Sequence, residues 1–229
     1  SCEEDWYATM AGYLKQLNKL QWGTKPDRTT YTLPILVAGD IFDRHDNPAE
    51  LMNFLLKKLP TMYCVAGQHD MRHHQPKDMH KTSYQTLVEA GRIIDLKPSN
   101  PVGVGSLVLW GFPFGFEPTP CMKPQDMALN VAVVHRYTWI KGKSYPDAPE
   151  ESRLKALKQN LLGYDAIVIG DNHIPWDIKS DGKGLPSVCN VGALMRRKAD
   201  EISHKPSVGL LHSDGTITRH YLDVSNDKF

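Results

Sequence analysis

The sequence predicts an α/β protein built as two sheets with helices on the outside, and three observations carry that prediction. In the first half, amphipathic stretches at helical spacing alternate with short apolar runs of strand length. In the second half, strand-like runs dominate. Four of the apolar runs also end alike, in ligand-type polar residues: LVAGD, CVAGQHD, VAVVH and IVIGDNH.

The elements follow in order. DWYATMAGYLKQLNKL sets Trp6, Met10, Tyr13, Leu14, Leu17 and Leu20 at helical spacing. A polar loop with Gly23 and Pro26 leads to the strand LPILVAG. Asn47-Pro48 reads as an N-cap with proline at the first helical position, opening AELMNFLLKKL. MYCVAG is a second buried strand, and a helix around SYQTLVEAG leads into RIIDL. VGSLVLWGFPFG reads as short strands with glycine breaks, and LNVAVVHRYTW as an apolar strand. EESRLKALKQNLLG reads as an amphipathic helix with Gly163 at its C-terminus. DAIVIGDNH and SVCNVG are further strands, and VGLLHSDGTITRHYLDV is a hairpin turning at Asp214-Gly215.

Length and composition allow one domain over residues 1–229 with a full core. Apolar residues make up 41% of the chain and charged residues 23%, as in an ordinary globular protein. The net charge of +1, from 27 basic and 26 acidic side chains, gives no overall pull toward nucleic acid or membrane. The spacing of Cys2, Cys64, Cys121 and Cys189 matches no zinc motif and no disulfide framework. Cys64 and Cys189 lie in apolar runs, where small buried thiols are normal. A reducing, cytoplasmic location is the expectation. No apolar stretch approaches the ~18 residues of a membrane span, and no signal peptide opens the sequence.

The strand ends carry the chemistry. They present Asp40, then Gln68, His69 and Asp70, then His135, then Asp171 and His173. In open α/β sheets, functional groups gather outside the carboxyl ends of the strands. Carboxylate, imidazole and amide oxygen are the ligand types that hold Mn²⁺, Fe²⁺ or Zn²⁺.

The order GDxxDR, G-x-HD, a strand-end histidine and G-x-x-H resembles the calcineurin-like metallophosphoesterases. With the NVGALMRR segment, it looks most like their Mre11/SbcD-type nuclease branch. The resemblance runs from the first helix to the final hairpin. It implies a four-layer αββα sandwich of two mixed sheets with outer helices. It also implies phosphodiester hydrolysis, two divalent ions and DNA as substrate. Mn²⁺ is the favoured ion, with Mg²⁺, Fe²⁺ or Zn²⁺ as alternatives.

Position by position, the resemblance makes Asp40 the carboxylate bridging two metals. It makes Gln68, His135 and Asp171 second-metal ligands, and His173 a first-metal ligand. His69 would assist the leaving group, with Asp70 steadying it. Gln68 replaces the family's asparagine and Asp171 its histidine, which leans the site toward harder ions. The family's Asp-x-His on a first strand is absent from the sequence, as though that strand preceded it.

Other residues have two readings each. Arg44 is an ion-pair partner of Asp43 or a phosphate contact. Arg196 and Arg197 face a phosphodiester backbone or are solvated. His73, His74 and His80 form a solvated loop or line the substrate cleft. Trp110, Phe112, Phe114 and Phe116 read as packing residues. Trp139 and Trp176 read as cleft walls or core. A small-molecule phosphodiesterase and a non-catalytic scaffold of the same fold are the alternative functions, and a protein partner or homodimer is possible with either.

Overall fold

The computed structural model describes residues 2–24, 30–122, 128–182, 185–195, 203–225 and 227. Its centre is a pair of facing sheets. The smaller is parallel, in the order β3 (Leu36–Val37), β4 (Met62–Cys64), β5 (Ile93–Asp95). The larger contains β6 (Val102–Val104), β7 (Leu107–Phe112), β8 (Leu129–His135), β9 (Ala166–Gly170), β10 (Trp176–Ile178) and β11 (Ser187–Asn190). Its order is β10-β11-β9-β8-β7-β6, parallel through β11, β9, β8 and β7 and antiparallel at both edges. Two hairpins flank the sheets: β1 (Trp22–Thr24) with β2 (Thr30–Thr32), and β12 (Ser207–Leu211) with β13 (Ile217–Tyr221).

Three apolar clusters fix the layers. Val65, Leu96, Leu109, Val131, Val133 and Ala166 are buried between the sheets. The outer face of the small sheet packs on α1 (Cys2–Gln21), α2 (Ala49–Lys58) and α3 (Ser83–Glu89), through Leu14, Leu55, Leu59, Tyr84 and Leu87. The helical stripe of the first segment is thus realised, with Met10, Leu14 and Leu17 facing the small sheet. The outer face of the large sheet is covered by Leu154, Leu157, Leu161 and Tyr164. Each such buried leucine contributes ~1.5–3 kcal/mol relative to exposure.

That last layer departs from expectation. Residues 150–163 form two 3₁₀ turns, Glu150–Ser152 and Lys158–Leu161, in place of an α-helix. The apolar spacing buries the same leucines either way. The polar groups of this stretch instead bond to a neighbouring loop. Cys121 N donates to Leu162 O at 2.8 Å, Asn160 Nδ2 to Pro118 O at 2.9 Å, and Tyr164 Oη to Thr119 O at 2.9 Å. The start of α2 also shifts. The first intrahelical bond is accepted by Pro48 O, and the Asn47 side chain donates to Arg44 O instead of capping. The stretch read as a polar loop around Gly23 holds β1, and the Trp176–Ile178 edge strand was not expected. The hairpin at Asp214-Gly215 is as expected, with Asp214 Oδ1 accepting from Thr216 N at 2.9 Å.

Packing accounts for most of the aromatic residues. Trp110 and Phe112 both meet the Tyr164 ring edge-on, and Trp139 and Trp176 are buried. Phe116 is exposed. Cys64, Cys121 and Cys189 are all buried.

Candidate metal centre

Asp40 and Gln68 leave the ends of β3 and β4 in the small sheet. His135 ends β8 and Asp171 follows β9 in the large sheet, where His135 pairs with Gly170. The two sets meet because the strand ends approach with no room for side chains. A Cβ on Gly39 would fall on the His135 ring, and one on Gly170 would fall on Ala38 O. Gly39 also has φ +84°, which glycine adopts without strain. Asp40 and Asp171 take left-handed backbone too, at φ 49° and 83°. Aspartate tolerates that region better than most residues, and such strain gathers at functional sites.

The convergence is tight. His135 is buried, with Nδ1 2.5 Å from Ala38 O and Nε2 2.6 Å from Gln68 Oε1. Its Nε2 lies 3.4 Å from Asp40 Oδ2. Gln68 Nε2 donates to Asp171 Oδ1 at 2.9 Å, and His69 N donates to Asp40 Oδ1 at 3.0 Å. One ligating atom from each of Asp40, His135 and Asp171 lies within 4.8 Å of the others.

The electrostatics match this crowding. Burial pushes the Asp40 carboxyl up, but the His135 hydrogen bond and charge and the His69 N–H together hold it below its usual value. Burial pulls His135 down, and the Asp40 carboxylate with the Ala38 carbonyl outweighs it, so its pKa is raised above the usual value. Because a carbonyl can only accept, Nδ1 carries a hydrogen, which leaves Nε2 as the nitrogen that turns to an ion. Two carboxylates, an imidazole and an amide oxygen fit a divalent ion of the Mn²⁺, Fe²⁺, Zn²⁺ or Mg²⁺ group.

A profile of the calcineurin-like phosphoesterases matches residues 12–197. The chain belongs to that family. Among solved structures, the phosphoesterase is similar to a phosphopantetheinyl hydrolase from Mycobacterium tuberculosis. That match has 14% identity and a TM-score of 0.47, over 82% of this chain and 87% of the other. A second solved chain matches at 13% identity and a TM-score of 0.43, over 76% of this chain and 70% of its own. No curated protein sequence matches significantly.

The remaining expected site residues of the phosphoesterase are placed as follows. His69 is exposed beside the cluster, with its ring centroid 6.1 Å from that of His74. Asp70 is fully buried, and its two oxygens accept from Gly67 N at 2.9 Å and Phe42 N at 3.1 Å. It ties the β4 loop to the β3 loop, and burial, only partly offset by those two N–H groups, pushes its pKa up to about 7. His173, expected at the first metal, is exposed and lies outside the three-residue group. Arg44 pairs with Asp46 at 2.8 Å, and both partners are well exposed. Arg196 and Arg197 lie outside the described residues.

An open cleft of about 290 Å³ adjoins the cluster, lined by Arg44, His45, Gln68, His69, His73 and His74. His73 and His74 therefore line the cleft, both with left-handed backbone.

A buried amide pair behind the metal ligands was missed. Asn172 Nδ2 donates to Thr138 O and Lys143 O, both at 2.9 Å, and Asn190 Nδ2 donates to Asn172 O at 2.7 Å. These bonds hold the Asp171 turn against the chain that follows His135. The one signal in the sequence is that an asparagine follows each of these strands' apolar residues, in GDN and SVCN.

Proposed function

We propose that this chain hydrolyses phosphodiester bonds with divalent metal ions, Mn²⁺ first among them. The observation that supports it best is the convergence of Asp40, Gln68, His135 and Asp171 from two sheets onto one point. Divalent ions held there would activate water and neutralise the charge growing on the phosphoryl oxygens. The protein groups do the rest. His135 is fixed by Ala38 O, and Gln68 is fixed between His135 and Asp171, so the oxygens and nitrogen keep their aim. His69, at the open side, gives a proton to the departing ester oxygen as the P–O bond breaks and the water oxygen bonds to phosphorus. The cleft beyond it receives the leaving group, with Arg44 at its wall.

DNA is the polymer favoured by the nuclease-like motif order, and the cytoplasm is the proposed setting. The cleft volume suits a group of nucleotide size, so a small phosphodiester is the second reading. The test is hydrolysis of bis(p-nitrophenyl) phosphate and of single- and double-stranded DNA, with Mn²⁺, by wild type and Asp40→Ala. Mn²⁺-dependent turnover that Asp40→Ala abolishes is expected. Turnover that survives Asp40→Ala would remove this site from the reaction.

A further inference from the structure

Outside the histidine-lined cleft, the chain after His135 builds an aromatic pair. Tyr137 and Tyr145 form a tilted ring pair, with centroids 4.8 Å apart and planes at 42°, and Tyr145 N donates to the Tyr137 hydroxyl at 3.3 Å. Tyr145 is 49% exposed.

The pair is anchored to the metal ligands from both ends. Tyr137 lies two residues past His135. The intervening loop is pinned by Asn172, the neighbour of Asp171, through Thr138 O and Lys143 O.

A half-buried ring paired with an exposed one, held by a buried amide beside the candidate metal centre, is not needed by the core. The large sheet's outer face is already covered by Leu154, Leu157, Leu161 and Tyr164.

We infer that the Tyr137–Tyr145 pair is a stacking platform for the base of a nucleoside phosphodiester whose phosphate lies at Asp40, His135 and Asp171. This rests on the proposed phosphodiesterase reading and names its substrate class. A base offers a planar face of any sequence to such a platform, and a tyrosine face accepts it with little loss of side-chain freedom.

The test uses two esters with one leaving group: the p-nitrophenyl ester of thymidine monophosphate and methyl p-nitrophenyl phosphate, each with Mn²⁺. Tyr145→Ala should raise KM for the thymidine ester roughly tenfold, leave kcat close to wild type, and leave the methyl ester unchanged. Tyr145→Phe should keep wild-type values, because it keeps the ring. Equal changes on both esters, or none on either, overturn the inference.

Binding separates failure of the inference from failure of the catalytic reading. Calorimetry with thymidine monophosphate and with methyl phosphate on the Mn²⁺-loaded protein needs no turnover. If wild type hydrolyses neither ester, the catalytic reading fails. The platform then stands only if Tyr145→Ala weakens thymidine monophosphate alone. A single-stranded oligothymidylate distinguishes polymer from free nucleotide, since either source presents the same base.

Discussion

Asp70→Ala isolates what the carboxylate in the GQHD loop does. Its two oxygens satisfy Gly67 N and Phe42 N, both on buried residues. Each orphaned buried N–H costs ~1–3 kcal/mol, so the gross loss is roughly 2–6 kcal/mol. Removing a carboxylate that burial disfavours offsets part of that, and the net loss should fall near ~2–4 kcal/mol. For a domain of this size each kcal/mol moves the melting midpoint by about 2–4 °C, so a drop of about 5–15 °C is expected. Chemical denaturation at pH 8, followed by tryptophan fluorescence, measures it. Neighbouring residues can couple by ~0.5–3 kcal/mol, so the His69→Ala background is the control, and the Asp70→Ala loss should persist there by more than about 0.5 kcal/mol. A loss below that margin for Asp70→Ala alone would refute the clamp. If its effect on kcat also vanished in the His69→Ala background, Asp70 would be acting through His69, as the family resemblance implies.

Other perturbations separate the remaining roles. His69→Ala should leave Mn²⁺ affinity intact and lower kcat roughly 10²–10⁴-fold, whereas Asp40→Ala should lose Mn²⁺ in the same calorimetric titration. Arg219→Ala should destabilise the fold by ~2–4 kcal/mol without changing kcat per folded molecule. Its guanidinium bonds Asp177, Ser207 Oγ at 2.7 Å and Asn190 O at 3.0 Å, joining the final hairpin to the large sheet.

The strand ends were legible because each couples a short apolar run to an abrupt polar stop, and that pattern survives any detail of packing. Four of the residues at those stops, Asp40, Gln68, His135 and Asp171, come together in the structure. His173 stays exposed outside that group, while the turn after β9 brings Asp171 to it and spends Asn172 on the loop behind. Asn172 and Asn190 carry no periodic signal, since a buried amide is defined by its partners, which lie up to 34 residues away. The stretch 150–163 misled for a related reason. Leucines at three- and four-residue spacing report which face is buried, not which backbone groups bond, and here the loop at 118–121 takes those bonds. The Arg44–Asp46 pair was not read from the sequence because exposed ion pairs depend on rotamers more than on sequence neighbours.

The metal centre should also be a staple between the sheets. Asp40 and Gln68 come from the small sheet and His135 and Asp171 from the large one, so any ion they share spans the sandwich. At a concentration of Mn²⁺ one hundred times its dissociation constant, binding adds ~2.7 kcal/mol to the folded state. That corresponds to a rise in melting midpoint of about 5–11 °C. Chelation should reverse it, and Asp40→Ala should abolish it. The gain should be local as well. Hydrogen exchange should slow most at Val65 N, which donates to Val37 O at 3.2 Å beside the ligand loops, and little in the β12–β13 hairpin. Equal protection in the hairpin would mean that the ion stabilises the chain globally. Protection confined to one sheet would mean that the four residues do not share an ion.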